Sequence, residues 1–165
     1  GATNRRILLD ARAGLYVTAF FCILEPATGK VFYCNAGHNP PYVLHAQGGK
    51  AQALRPTGIA LGVLEDWEWT QEIVELCPGD LLLVYTDGVT EAKDPGGGFY
   101  GRQRLVEAAR AHVGRPAHLV QEALLTDVRT FSGSAPQFDD ITLMLALREG
   151  QTGDRRVEIN HYRGT

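Results

Sequence analysis

The fold is indicated first by one stretch, Leu81-Leu82-Leu83-Val84-Tyr85-Thr86-Asp87-Gly88, in which an apolar run ends at an aspartate and a glycine. The apolar run predicts a strand, and Asp87 and Gly88 lie where that strand meets solvent. Later in the chain, Asp139-Asp140-Ile141-Thr142 places two carboxylates at the beginning of another apolar run, Leu143-Met144-Leu145. Hard cations such as Mg²⁺ and Mn²⁺ prefer oxygen ligands. Two acidic strand ends side by side therefore predict a metal site suited to phosphate chemistry.

The composition sets bounds on the class of protein. With 165 residues, 44% hydrophobic and 21% charged, the chain has the length and makeup of one soluble globular domain. The net charge of -3 disfavours nucleic-acid binding. The longest apolar stretches, 16–24 and 81–85, are far shorter than the roughly 20 residues that a membrane helix needs. No basic and apolar leader opens the chain, so we expect no membrane span and a cytoplasmic location.

Strands dominate the first half of the chain, and helices enter later. Residue types and periodicity predict strands at 16–24, 31–34, 41–45, 51–54, 71–76, 80–86 and 140–147, and helices at 102–112 and 117–131. Turn residues at 25–30 predict a hairpin of the first two strands, and Cys77-Pro78-Gly79-Asp80 predicts another between the fifth and sixth. Residues 4–11 are typical of the end of a helix. The polar stretch 150–165 is predicted to be a loosely held tail.

Each acidic motif also has an ordinary structural interpretation. An Asp-Gly pair such as Asp87 and Gly88 frequently only closes a turn, because Asp accepts backbone hydrogen bonds and Gly tolerates positive φ. An Asp-Asp pair such as Asp139 and Asp140 is often a solvated cap, although adjacent carboxylates repel one another and are stabilised by a cation. The two motifs therefore indicate a metal site jointly rather than singly.

Histidine and cysteine are interpreted as structural. His38 lies in Asn35-Ala36-Gly37-His38-Asn39-Pro40-Pro41, whose Asn, Gly and paired Pro are typical of a sharp turn. Cys22, Cys34 and Cys77 have no metal-ligand or CxxC spacing, which favours buried reduced thiols. The sequence contains no convincing arrangement of a nucleophile with a base, so it assigns no catalytic side chain.

Together, these pieces resemble the type 2C metal-dependent protein phosphatases, and in particular their bacterial SpoIIE/RsbU-like branch, which serves sporulation and stress responses. The resemblance spans residues 4–148 and is carried by residues 35–41, Leu61-Gly62, residues 78–92 and Phe138-Asp139-Asp140-Ile141-Thr142-Leu143. The joint pattern is far more specific than any one motif. It divides the chain into a phosphatase domain at 1–148 and a polar C-terminal tail at 149–165.

The resemblance implies an α+β fold, an antiparallel β-sandwich of two sheets flanked by helices, with a centre of two Mg²⁺ or Mn²⁺ ions at one end. Asp87 and Asp139 match the family's metal-ligand aspartates, and Gly88 matches the glycine beside the first of them. Asp140 stands where many relatives outside this branch have Asn, so it is expected to be an auxiliary ligand. The implied reaction is hydrolysis of phosphoserine or phosphothreonine on a protein by a metal-activated water.

The family's earlier motif has no counterpart in the sequence. That motif, an aspartate followed by a Gly-His-Gly-like stretch that provides the bridging metal ligand, would precede residue 4. Asp10 and His38 both lie in the wrong context to replace it. We therefore expect the phosphatase domain to be N-terminally incomplete, and the chain alone to be weakly active or inactive.

Function has two main interpretations at this point. In the first, the parent protein is a protein serine/threonine phosphatase whose substrate is a small signalling protein such as an anti-sigma-factor antagonist. In the second, the chain is a non-catalytic interaction or dimerisation module in which Asp87 and Asp139 are turn and cap residues. Uncovered sheet edges in an incomplete domain would favour a homodimer. A phosphohydrolase with Asp87 as nucleophile is disfavoured, because Val89 stands where a second aspartate is usual.

Overall fold

Two antiparallel sheets form the framework of the chain in a computed structural model that describes residues 1–10, 14–149 and 157–164. In chain order the elements are α1 (Ala2–Asp10), β1 (Ala19–Glu25), β2 (Lys30–Ala36), β3 (Tyr42–Leu44), β4 (Gln52–Ala53), β5 (Glu72–Glu75), β6 (Leu81–Tyr85), α2 (Asp87–Thr90), α3 (Gly101–Arg110), α4 (Ala117–Ser132), β7 (Ile141–Arg148) and β8 (Val157–Gly164). They belong to two compact units, one made of Gly1–Pro40 with Leu54–Glu75, the other of Pro41–Ala53 with Leu76–Thr165.

The first unit contains α1 and a three-stranded sheet in the order β1-β2-β5. The predicted hairpin of β1 and β2 is confirmed: Glu25 pairs with Lys30, and the amide of Gly29 donates to the carbonyl of Glu25 at 2.8 Å. Gly29 has a φ of 80°, which is the left-handed conformation that glycine adopts without steric cost. The turn residues of the sequence therefore set the register of the β1–β2 hairpin.

The second unit contains a five-stranded antiparallel sheet in the order β4-β3-β6-β7-β8. Strand β6 pairs with β3 on one side and β7 on the other, and four of its five residues are buried. Helices α3 and α4 pack against this sheet. The apolar stripe of α4, Val120, Leu124 and Val128, recurs every four residues and is buried in the core of the unit.

Three sequence predictions are wrong. The turn at Cys77–Asp80 does not close a hairpin, because β5 and β6 belong to different sheets. The chain beyond residue 149 is not only a loose tail, because Val157–Gly164 form a strand paired with β7 along its whole length; residues 150–156 and 165 lie outside the described part. The three cysteines were predicted to be buried, but Cys77 is exposed and Cys22 and Cys34 are half-buried. All three are free thiols.

The helices are too short or too polar to cross a membrane. This holds for every helix in the described residues.

Candidate metal centre

The two acidic motifs meet at one edge of the five-stranded sheet. Strand β6 ends at Tyr85 and β7 begins at Ile141, and the antiparallel register pairs Tyr85 with Leu143. The end of one strand therefore lies beside the beginning of the other. Asp87 follows the first strand and Asp139 precedes the second, so the fold brings the backbones of the two predicted acidic motifs to the same edge of the sheet.

Thr86 joins these two strand ends through its hydroxyl. Its Oγ1 donates to the carbonyl of Asp140 at 2.9 Å and accepts from the amide of Thr142 at 3.0 Å. The amide of Thr86 donates to the carbonyl of Thr142 at 3.1 Å. These bonds fix the backbone between the two motifs. Thr86 was assigned no role from the sequence, although a hydroxyl side chain next to an Asp-Gly pair at a strand end is a signal that the sequence contains.

Gly88 is the point of closest backbone approach. It is buried in the first turn of α2, and a Cβ built at this position would overlap the carbonyl oxygen of Asp140 and lie 3.2 Å from that of Asp139. Only glycine fits here without movement of one motif away from the other. Gly88 thus allows the two strand ends to approach closely, and it contributes no side-chain ligand.

Asp87 and Asp139 are both exposed, and each carboxylate has one oxygen engaged locally. Oδ1 of Asp87 accepts from the amide of Gly88 at 3.2 Å, and Oδ1 of Asp139 accepts from the amide of Asp140 at 2.7 Å. Within the described residues, no hydrogen bond reaches the Oδ2 of either. Those two oxygens are therefore available to a cation.

The carboxylate of Asp140, unlike those of Asp87 and Asp139, lies near a cationic side chain. Its Oδ2 lies 3.5 Å from Nη2 of Arg163 on β8, which is a weak exposed ion pair. This partner partly balances the charge of the Asp139-Asp140 pair without a metal. Asp140 therefore differs from Asp87 and Asp139, because its carboxylate has a cationic side chain as partner.

The donor set has the chemistry that Mg²⁺ and Mn²⁺ require, but it is sparse. All the side-chain donors are carboxylate oxygens, which are the ligands of hard cations. In the part of the chain that the structure describes, no group of three or more His, Cys, Asp or Glu side chains is arranged to hold a metal ion. The residues therefore fit part of the coordination sphere of a hard divalent cation.

A pocket of about 310 Å³ opens beside this edge of the sheet. Its lining residues include Gly88 and Asp139 of the acidic edge, together with Lys93, Phe99, Arg129 and Phe138. The pocket belongs wholly to the second unit. It places a cationic and aromatic surface next to the acidic edge.

The turn around His38 is built in the first unit as predicted. The amide of His38 donates to Oδ1 of Asn35 at 2.8 Å, and the ring Nδ1 lies 3.3 Å from the hydroxyl of Thr18. Gly37, with a φ of 69°, makes the sharp turn possible. These bonds assign His38 a structural place in the turn.

A sequence model of the family Stage II sporulation protein E (SpoIIE) matches residues 1–149 of the chain. The chain belongs to the SpoIIE family. The predicted membership of the SpoIIE/RsbU-like branch of type 2C phosphatases is thereby confirmed.

Protein IcfG of Synechocystis is 35% identical over 134 residues, which are 81% of this chain and 21% of that protein. Phosphoserine phosphatase RsbU of Bacillus subtilis is 26% identical over 110 residues, 67% of this chain and 32% of RsbU. The chain thus spans about a fifth and a third of the lengths of these two relatives.

Solved structures confirm the α+β fold class. The RsbU and RsbW domains of Rv1364c from Mycobacterium tuberculosis match with a TM-score of 0.69 and 26% identity, over 92% of this chain and 41% of that one. The phosphatase domain of SpoIIE from Bacillus subtilis, presoaked with Mn, matches with a TM-score of 0.63 and 16% identity, over 92% of this chain and 64% of that one. At that identity the second likeness concerns the fold alone.

Proposed function

We propose that the protein to which this chain belongs is a Mg²⁺- or Mn²⁺-dependent phosphatase that hydrolyses phosphoserine or phosphothreonine on a protein. The observation that carries the proposal is the convergence of Asp87 and Asp139 at one sheet edge, with Gly88 fitted between their backbones. Membership of the SpoIIE family and the likeness to RsbU, named as a phosphoserine phosphatase, support it.

Asp87 and Asp139 hold the metal in this proposal, each through the Oδ2 that no described residue engages. Asp140 is an auxiliary residue, because its carboxylate faces Arg163 at 3.5 Å. Thr86 and Gly88 position the two carboxylates through the backbone. Two divalent cations, when bound, would supply an activated water and stabilise the charge that develops on the phosphoryl group.

The substrate in this proposal is a small phosphorylated signalling protein, of the anti-sigma-factor antagonist kind, in the cytoplasm. The described residues provide too few ligands for a closed metal site. We therefore propose that the 165-residue chain by itself binds metal weakly and has little activity, and that the full activity belongs to the parent protein.

The test is phosphate release from a phosphoserine protein by the parent protein, with and without Mn²⁺, for the wild type, Asp87→Asn and Asp66→Asn. Removal of metal with EDTA should abolish turnover, and Mn²⁺ should restore it. Asp87→Asn should lower kcat by about a hundredfold or more, because a lost carboxylate weakens a metal ligand set. Asp66→Asn, an exposed aspartate of the first unit, is the control. Metal-independent turnover, or full activity of Asp87→Asn, would refute the proposal.

A second candidate function is a non-catalytic interaction or dimerisation module. It is favoured by one observation: Phe21, Ile23 and Ile73 are large exposed apolar side chains of the three-stranded sheet in the first unit. In the pairing register Phe32 stands opposite both Ile23 and Ile73, so these side chains share one face. If the parent protein shows no turnover but the 165-residue chain is a dimer in solution that Phe21→Ser disrupts, this second candidate replaces the first.

A further inference from the structure

A cation held between two exposed aromatic rings lies beside the acidic edge. Nζ of Lys93 is 5.4 Å from the centroid of the Phe99 ring and 4.6 Å from that of Phe138. Lys93 is half-buried, whereas Phe99 is 60% exposed and Phe138 is 71% exposed. We call these three residues the cation–aromatic cluster. Exposed aromatic side chains gathered around one charge are typical of a recognition surface.

The cluster is fixed by the backbone on both sides. Lys93 and Phe99 face each other across an antiparallel bridge, and the amide of Tyr100 donates to the carbonyl of Ala92 at 2.8 Å. The loop between them is closed by the side chain of Asp94, whose Oδ1 accepts from the amide of Gly98 at 2.8 Å. Phe138 is the residue before Asp139. The cluster is thus tied directly to the residues proposed to hold the metal.

The cations of the adjoining pocket have no carboxylate partner among the described residues. Lys93 and Arg129 both line it, and neither forms a salt bridge with any residue that the structure describes; Arg129 donates to the hydroxyl of Tyr162 at 3.3 Å. Two acids line it as well, Glu91 and Asp139. Glu91 and Arg129 are both exposed, so solvent screens their opposite charges alike. Asp139 is committed to the metal in the proposed function, which leaves the half-buried Lys93 as the uncompensated charge. The charge left for an incoming ligand is positive.

We propose that the cation–aromatic cluster binds an acidic side chain of the phosphoprotein substrate, close in sequence to the phosphorylated residue. This inference rests on the proposed function. A carboxylate would pair with the ammonium of Lys93, which the two rings partly shield from water. Because Gly88 and Asp139 line the same pocket, the occupant lies near the reacting phosphate. An extended peptide advances about 3.3 Å per residue, so the acidic side chain is within a few positions of the phosphoresidue.

The test uses phosphoserine peptides in which one Asp is moved through the positions on either side of the phosphoserine, against the same peptide with Asn. The parent protein is compared as wild type, Lys93→Met and Lys50→Met. Met keeps the length and apolar contacts of the side chain but removes its charge. Lys50 is an exposed lysine that lines a different depression of the same unit, so it is the matched control.

The wild type should prefer the acidic peptide at one or two positions, through a lower KM. Lys93→Met should reduce the ratio of kcat/KM for the Asp peptide over the Asn peptide by about fivefold, and Lys50→Met should not change it. Equal ratios in the wild type and Lys93→Met, or no acidic preference in the wild type, would overturn the inference.

Binding of fluorescently labelled peptides that carry an unphosphorylated serine, measured in the presence of Mn²⁺ so that hydrolysis plays no part, separates this inference from the proposed function. If no peptide is hydrolysed with any metal, but the acidic preference in binding exists and is lost in Lys93→Met, the proposed function fails and the docking site stands. If hydrolysis requires Mn²⁺ but neither KM nor binding responds to Lys93→Met, the docking site fails and the proposed function stands.

Discussion

Gly88 is the residue at which the candidate metal centre tolerates the least change. The Gly88→Ala substitution would push its Cβ into the carbonyl of Asp140, which is backbone and cannot rotate away. We expect a loss of about 2 kcal/mol in the free energy of unfolding, as in other overpacked sites. We also expect weaker Mn²⁺ binding, because the two strand ends must separate. Urea unfolding and Mn²⁺ titration of the variant measure the two effects.

Gly96→Ala is the matched control for that substitution. Gly96 lies in an exposed loop, and a methyl group added there would come nearest to the flexible carboxylate of Asp94, at 3.2 Å. This control should change stability and metal binding little. A Gly88→Ala protein that is as stable as the control, and binds Mn²⁺ equally, would show that the close approach has no role.

At the same scale, the sequence predicted the positions of the acidic residues at the strand ends better than it predicted the bonds around them. Asp87 and Asp139 were selected correctly as strand-end carboxylates, because apolar runs mark strand ends plainly. The role of Thr86 was missed, since its hydroxyl bonds to Asp140 and Thr142, more than fifty positions away, and depends on the strand register. Asp140 gained a partner, Arg163, that lies in a stretch interpreted as a tail.

At the scale of elements, Asp127 of α4 links that helix to α3. Its carboxylate accepts from the buried hydroxyl of Tyr100 at 2.5 Å and from Nε of Arg104 on α3 at 3.2 Å. The hydrogen bond from Arg104 lowers the pKa of Asp127 from its usual 3.8, although partial burial opposes the shift. A lowered folded-state pKa stabilises the fold above pH 3.8, and this contribution is lost as the pH falls through the folded-state pKa.

Asp127→Asn should therefore destabilise the protein near neutral pH and do so less in acid. We expect a loss of about 1 kcal/mol in the free energy of unfolding at pH 7, because Asn loses the ion pair with Arg104 and is a weaker acceptor for the Tyr100 hydroxyl. The difference from the wild type should shrink as the pH falls below 3.8. Urea unfolding at a series of pH values measures this, with Asp66→Asn as the control. A difference that is constant with pH would mean that the titration of Asp127 does not contribute.

Strand β8 was not predicted from the sequence, and its residues show the reason. Of the inward-facing residues Glu158, Asn160 and Tyr162, only Tyr162 packs against the apolar core. Asn160 donates to Gln121 of α4 at 3.0 Å, and Glu158 accepts from the amide of Ala117 at 2.9 Å. Because this stretch lacks a clear apolar alternation, its sequence predicts a polar tail, whereas the fold has an edge strand here. The helices α3 and α4 were predicted nearly to their ends, because their apolar stripes recur at helical spacing and face a buried core.

At the scale of the whole molecule, the two acidic strand ends, the aromatic pocket and the helices α3 and α4 all belong to the second unit. Both halves of the proposed chemistry, metal binding and substrate docking, therefore rest on one sheet edge. The family and the fold class could be predicted from sequence because the motifs are specific jointly. The assignment of β5 and β6 to different sheets could not be predicted, since a Pro-Gly turn suits a hairpin and a crossing between sheets equally.

The most direct test of the central claim is a calorimetric Mn²⁺ titration of the parent protein, as wild type, Asp87→Asn, Asp139→Asn and Asp66→Asn. If Asp87 and Asp139 hold the metal, each of their substitutions should weaken Mn²⁺ binding by about tenfold or more, because a ligand carboxylate is lost. Asp66→Asn should bind as the wild type does. Unchanged Mn²⁺ affinity in both Asp87→Asn and Asp139→Asn would contradict the account.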